Sequence, residues 1–220
     1  MAAPPRLPVE MWTTVCDELG YRDLKAFGGV CKASQRLIED SRYDRKLFRE
    51  KPGRRLARGT KIAIHPMLDQ INCLGQDPSK AEILAPTQPP EDPVWRDKPD
   101  FLCDPDYLNG FDYKAVDEFA TAPACKKLHL DMAEIDCGTI SSSTGVTVRQ
   151  VAEACIKYWS SPVTGRQKKQ FLEDNKGWYP PNSRVTRVDL LYDHCFFEGW
   201  SNARADSEGA AILSTYGFGS

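Results

Sequence analysis

The sequence is poor in the residues from which metal centres and acid–base sites are assembled. It holds three histidines, His65, His129 and His194, and none of its eight cysteines forms a Cys-x-x-Cys pair, so no zinc-finger or RING-type ligand set can be written through it. An excess of either charge is also missing. With 29 basic and 31 acidic residues the net charge is −2 and the pI is near 6.0, which is not the basic balance of a general polyanion binder. No apolar run approaches the length that crosses a bilayer, and the opening Met-Ala-Ala-Pro-Pro-Arg has no signal-peptide core. A phosphate loop is absent too: Gly53 to Lys61 ends Gly59-Thr60-Lys61, where that motif needs Gly-Lys-Ser/Thr. These absences predict an intracellular, soluble chain, cytoplasmic or nuclear, with reduced thiols, no cofactor, no metal and no membrane partner. Nucleic acid is not an expected partner.

What is there begins with residues 7 to 48. Pro8 suits the first turn of a helix and Glu10 complements its positive end. Met11, Val15 and Leu19 recur at i, i+4 and i+8 with Trp12 and Cys16 beside them, which makes one broad apolar stripe. Gly20 is the expected C-terminal cap. Asp23 is the expected cap of a second short helix carrying Leu24 and Phe27, which Gly28-Gly29 loosens after about two turns. A third helix carries Leu37 and Ile38. The order Leu7-Pro8, Glu10, Leu19, Asp23-Leu24, Val30-Cys31-Lys32 and Phe48 resembles the F-box in sequence and spacing. Two positions differ from that family: Ala33-Ser34-Gln35 stands where an aromatic is usual, and Phe48 where the closing residue is Trp.

The F-box resemblance implies a substrate-recruiting subunit of an SCF-type (Skp–cullin–F-box) ubiquitin ligase. Its N-terminal helices would bind a Skp-type cullin adaptor through Leu7, Pro8, Met11, Val15, Leu19, Leu24 and Val30, and the remainder would hold a target protein. So small a three-helix unit cannot bury all of these residues on itself. The chain would supply no acid, base or nucleophile, so it is not expected to be an enzyme. Two alternatives stay open: an interaction module without ligase association, and a Cys–His hydrolase using Cys125 or Cys195 with one of the histidines.

Beyond the helices, residues 42 to 61 hold nine basic residues against two acidic, with Pro52 and Gly53 inside, and read as a solvated helix end and linker. Ile62-Ala63-Ile64 is a β-like run, and Pro66 suits a helix start ahead of Met67, Leu68, Ile71 and Leu74. From Asp77 to Asp106, seven prolines and eight acidic residues against three basic predict a long surface loop anchored by Trp95 and Phe101, with Asp104 and Asp106 as solvated charges. Leu128, Leu130 and Met132 alternate with His129 and Asp131, a half-buried strand with His129 outward. Thr147 and Gln150 form a capping box, with Val146 stapled to Val151, opening a core helix on Val148, Val151, Cys155 and Tyr158 that stops at Ser160-Ser161-Pro162. Lys168 to Gly177 reads as a loop or frayed helix, Arg184 to Tyr192 as β-rich, His194 to Trp200 as an aromatic cluster, and the stretch from Ser201 as a poorly ordered tail.

His65-Pro66-Met67-Leu68, Ala120-Thr121-Ala122-Pro123, Gly145-Val146-Thr147-Val148, Asp189-Leu190-Leu191 and Phe197-Glu198-Gly199-Trp200 together resemble a fungal domain family of unknown function. That resemblance implies a mixed α+β fold and no activity. The expected organisation is α+β: a three-helix F-box at 5–50, a basic linker at 51–61, a mixed α+β target-recruiting domain at 62–202 containing the Pro-rich acidic loop, and a tail at 203–220.

Overall fold

The helical period at the start of the chain becomes three short helices in the computed structural model, which describes residues 7–53, 55–69, 71–72, 82–83, 108–109, 114–192, 194, 196–215 and 218–219. They are α1 (Val9–Glu18), α2 (Tyr21–Val30) and α3 (Lys32–Ile38). Pro8 is the N-cap of α1, just outside the first turn. Gly20 does not cap α1: its φ of −78° is not left-handed, and it serves as N-cap of α2, so Asp23 falls in the first turn of that helix. The Gly28-Gly29 pair, expected to loosen α2 after about two turns, is carried within the helix to Val30. A Cβ on Gly28 would stand 2.2 Å from Ile38 Cδ1, so this glycine leaves room for α3 to pack. Cys31 caps α3, its sulfur accepting the Ser34 N–H while the Ser34 hydroxyl accepts the Cys31 N–H. The three helices and the turn after them close over Cys16, Leu24, Ile38, Tyr43 and Leu47.

The second part is built on a four-stranded sheet. Its order is β7 (Ile135–Ser141), β6 (Lys127–Met132), β10 (Ala211–Thr215), β9 (Trp200–Ala205), with β10 parallel to β6 and the other pairs antiparallel. In β6 the alternation holds, with Leu128, Leu130 and Met132 buried and His129 half-exposed. Helix α4 (Val148–Trp159) starts at the Thr147–Gln150 capping box and lays Val148, Val151, Ala152, Cys155, Ile156 and Trp159 into the same core. The Trp159 indole N–H points to Met132 Sδ at 3.3 Å. Smaller pairings surround it: β1 (Ala63–Ile64) with β5 (Thr121–Ala122), β8 (Phe196–Phe197) with β11 (Phe218–Gly219), and β2 (Ile71–Asn72), β3 (Glu82–Ile83) and β4 (Leu108–Asn109) in a row. The fold is therefore mixed α+β.

Several expectations are corrected. The stretch from Ser201 is not a loose tail: β10 lies between β6 and β9, and Ala211 and Leu213 are fully buried. Of the two forms expected for 168–177, the helical one is present: α5 (Gly165–Asp174) starts three residues earlier than expected and is held by one buried residue, Phe171. The segment 184–192 is not a strand but a 3-10 turn at Val188–Leu191, where Asp189 accepts the Thr186 N–H and hydroxyl. After His65 comes a tight turn, and Ile71 belongs to β2 rather than a helix. Leu74, Trp95, Phe101, Asp104 and Asp106 lie outside the described residues.

Hydrogen bonds tie several segments of the second half together. His65 N–H donates to Ala120 O at 2.9 Å, Ala120 N–H to Val146 O at 2.9 Å, and Trp200 N–H to the Asp69 carboxylate at 3.0 Å. Gly145 has a φ of +116°, and a Cβ there would stand 2.5 Å from the Phe119 ring and 3.2 Å from Pro52. Only glycine fits that corner.

Candidate docking face and its anchor

Helix α1 uses its apolar stripe in two directions. Cys16 is fully buried, and Leu19 is half-buried against the helical unit's own core. One turn apart on the other side of the stripe, Leu7, Met11 and Val15 remain 44%, 53% and 42% exposed, and Val30 at the end of α2 is 76% exposed. Pro8 is exposed beside them. The seven residues singled out from the sequence thus divide: Leu7, Pro8, Met11, Val15 and Val30 face water, Leu19 is intermediate, and Leu24 is turned inward. Leu24 is fully buried beneath the three helices and has no surface to offer a partner, which corrects its place in that set.

Two further residues belong to the face. Val9 is exposed, and Trp12 packs one side of its ring on Phe27 with centroids 5.5 Å apart while the other side stays partly in water. Trp12 was visible in the stripe. Val9 was not, because it falls outside the i, i+4 series. Beside this face a groove of about 380 Å³ runs between α1 and the turn after α3, lined by Val9, Glu10, Thr13 and Tyr43, with Asp17 and Asp40 paired to Arg42.

The helical unit is fixed to the sheet domain by a cluster around Glu118. The Tyr21 hydroxyl donates to Glu118 Oε2 at 2.8 Å, Lys25 Nζ pairs with Oε1, and His65 Nε2 lies 3.1 Å from Oε2. His65 is fully buried, with its ring edge-on to Tyr21 at 4.7 Å and Phe48 at 4.6 Å. Its Nδ1 accepts the Met67 N–H at 3.1 Å, so the proton sits on Nε2 and the contact with Glu118 is a hydrogen bond from a neutral imidazole. Burial works to raise the Glu118 carboxyl, but hydrogen bonds from His65, Lys25 and Tyr21 and the charge of Lys25 outweigh it and hold the group below its ordinary value of 4.5. Burial, and then the neighbouring carboxylate, push the Tyr21 phenol well up. Phe48 adds a main-chain tie: in a left-handed conformation, φ 54°, it accepts the Phe119 N–H at 3.0 Å. Sequence reasoning found none of this, since Glu118 is 97 residues from Tyr21 and 53 from His65.

The other candidate chemistry is less well supported by position. Cys125 is buried, burial raises its thiol, and its side-chain neighbour is the Thr121 hydroxyl at 3.6 Å. Cys195 lies outside the described residues. His129 bonds Thr139 at 3.0 Å on the sheet surface. Among the described residues no group of three or more His, Cys, Asp or Glu is placed to hold a metal ion, and no helix is long and apolar enough to cross a membrane.

Comparisons of the chain with protein-family models, with curated proteins and with solved structures gave no match. The functional reading therefore rests on the residues and their arrangement.

Proposed function

We propose that this chain is the target-recruiting subunit of an SCF-type ubiquitin ligase, with residues 7–48 as an F-box that binds a Skp-type cullin adaptor and the sheet domain as the part that holds the target. The observation that carries the reading is the exposure of Leu7, Met11, Val15 and Val30 on helices whose inner residues already form a closed core. Monomeric proteins seldom leave so many large apolar side chains together in water unless a partner covers them. Fully burying each is worth roughly 1.5–3 kcal/mol, and a few such anchors suffice against the several kcal/mol that association costs. The ordered Leu-Pro, Asp-Leu and Val-Cys-Lys motifs support a Skp-type adaptor as that partner. Such a subunit acts by helix-in-groove docking and by proximity: it holds a target lysine near a charged conjugating enzyme and contributes no catalytic group of its own. The Glu118 cluster gives that task a defined lever, because the docked helices and the target-holding domain share buried contacts rather than a free hinge.

The test is co-purification with a purified Skp adaptor. The wild-type chain is expected to retain it, and Leu7→Ala with Pro8→Ala to lose it while the sheet domain stays folded. Undiminished retention by the double variant counts against the assignment.

A further inference from the structure

We propose that the cleft between the basic run and the β9–β10 turn binds an anionic peptide segment, and so names the class of target the sheet domain takes. This inference rests on the reading of that domain as the target-holding part. The cleft has a volume of about 460 Å³ and is lined by Gly53, Arg55 and Leu56, the residues at the start of β6, and the turn at 207–210. Its floor is apolar, from Leu56, Ala124 and Cys125. Its rim is cationic, from Arg55, Lys126 and Lys127. Arg55 and Lys126 have no acidic partner among the described residues, and Lys127 meets only the exposed Glu208 at 3.4 Å, a contact that water screens. Three cations thus face one anion, in a chain whose net charge is −2.

The walls are preformed. Gly209 has a φ of +79°, and a Cβ there would stand 3.0 Å from the Leu56 carbonyl oxygen and 3.1 Å from Arg55 Cβ, so the turn and the basic run touch backbone to backbone. Leu56 N–H also donates to Gly209 O at 3.4 Å. A cleft of this size falls within the roughly 300–1,000 Å³ of ordinary ligand sites. Its occupant is a peptide rather than a nucleic acid for two reasons. Among the described residues no aromatic lines the cleft, so bases have nothing there to stack on. The chain's negative net charge also opposes a long polyanion outside this spot. An acidic side chain beside a small apolar one places charge on the rim and carbon on the floor. The negative charge can come from Asp and Glu or from phosphoserine, since the same cations read both.

The test uses the full chain and fluorescence anisotropy at about 0.15 M salt. Two labelled probes distinguish the sources: a short peptide alternating Glu and Leu, and the same peptide with phosphoserine in place of Glu. At least one is expected to bind, and Arg55→Glu with Lys126→Glu, both exposed, to weaken it by about tenfold or more. Lys169→Glu, on the exposed face of α5, is expected to leave it unchanged. Absence of binding by both probes, equal loss in the Lys169→Glu control, or displacement of the peptide by a single-stranded RNA of equal charge would overturn the proposal. The Arg55→Glu/Lys126→Glu variant is expected to retain the Skp adaptor in the pull-down, and loss there overturns the separateness of the two sites. Failure of the wild-type pull-down, by contrast, strikes the ligase reading and leaves the anisotropy result standing.

Discussion

Around the four-stranded sheet, α4 and the strands close over a cluster that runs in sequence from Ile62 to Leu213, and among the described residues of this region Trp178 and Tyr192 are the large apolar side chains left exposed. The three N-terminal helices close over only Cys16, Leu24, Ile38, Tyr43 and Leu47, and leave Leu7, Val9, Met11, Trp12, Val15 and Val30 exposed. Both regions have amphipathic helices. The difference lies in what each helix faces: α4 has a whole sheet for its stripe, whereas α1 has two short helices that cover half of its own. One region buries the stripe of its helix on its own sheet. The other is folded but leaves one apolar side open to water, and that side is where the proposed adaptor would dock.

The comparison can be broken hardest at the chain's far end. Deleting residues 206–220 removes β10 from between β6 and β9, and the expected result is loss of cooperative unfolding by circular dichroism; a truncated chain that melts like the full one would refute the sheet order. Next come single core residues. Trp159→Ala in the sheet domain should cost about 3–5 kcal/mol and Leu24→Ala in the helices about 2–5 kcal/mol in urea unfolding, whereas Met11→Ala should stay within about 0.5 kcal/mol. Equal costs at Leu24 and Met11 would erase the distinction between the two sides of the helical unit.

Smaller effects test the joint between the regions. Glu118→Gln keeps the shape but removes the charge that Lys25, Tyr21 and His65 converge on, and should cost about 1–3 kcal/mol. Because the folded carboxyl sits below its ordinary value, its contribution is fully present above about pH 4.5 and is lost as the pH falls through the depressed folded value. Acid titration of stability should therefore show a downward step in the wild type that is reduced in Glu118→Gln. Gly145→Ala, which meets Phe119 and a positive φ, should cost about 1–3 kcal/mol.

The period-based parts of this architecture could be read from the sequence because the residues that carry the signal touch their own neighbours. The i, i+4 stripe of α1, the alternation of Leu128, Leu130 and Met132, and the Thr147–Gln150 box are all of this kind. The errors have physical reasons of two sorts. Residues 201–215 carry small and polar residues such as Ser201, Asn202 and Ala210, yet β10 is held by partners on both sides, so tertiary pairing overrode weak local preference. Residues 165–174 looked polar because α5 needs only Phe171 to hold it. Gly20 was read as the cap of α1 and Gly28 as a loosening of α2, whereas Gly20 starts α2 and Gly28 makes room for Ile38. Of the candidate site, the outward apolar set was readable. Leu24 was misplaced because the same stripe feeds both core and surface, and the Glu118 cluster was invisible because its members meet only in the fold.

The central claim is that a helical partner covers the outward face of α1. Calorimetric titration of a purified Skp adaptor into the chain addresses it most directly, with Met11→Glu/Val15→Glu as the comparison, since both residues are exposed and the variant should fold normally. The wild type should bind with a negative heat-capacity change, the mark of apolar burial, and the variant should lose about 2 kcal/mol or more of binding free energy. Equal binding by both proteins, or no binding by the wild type, would contradict it.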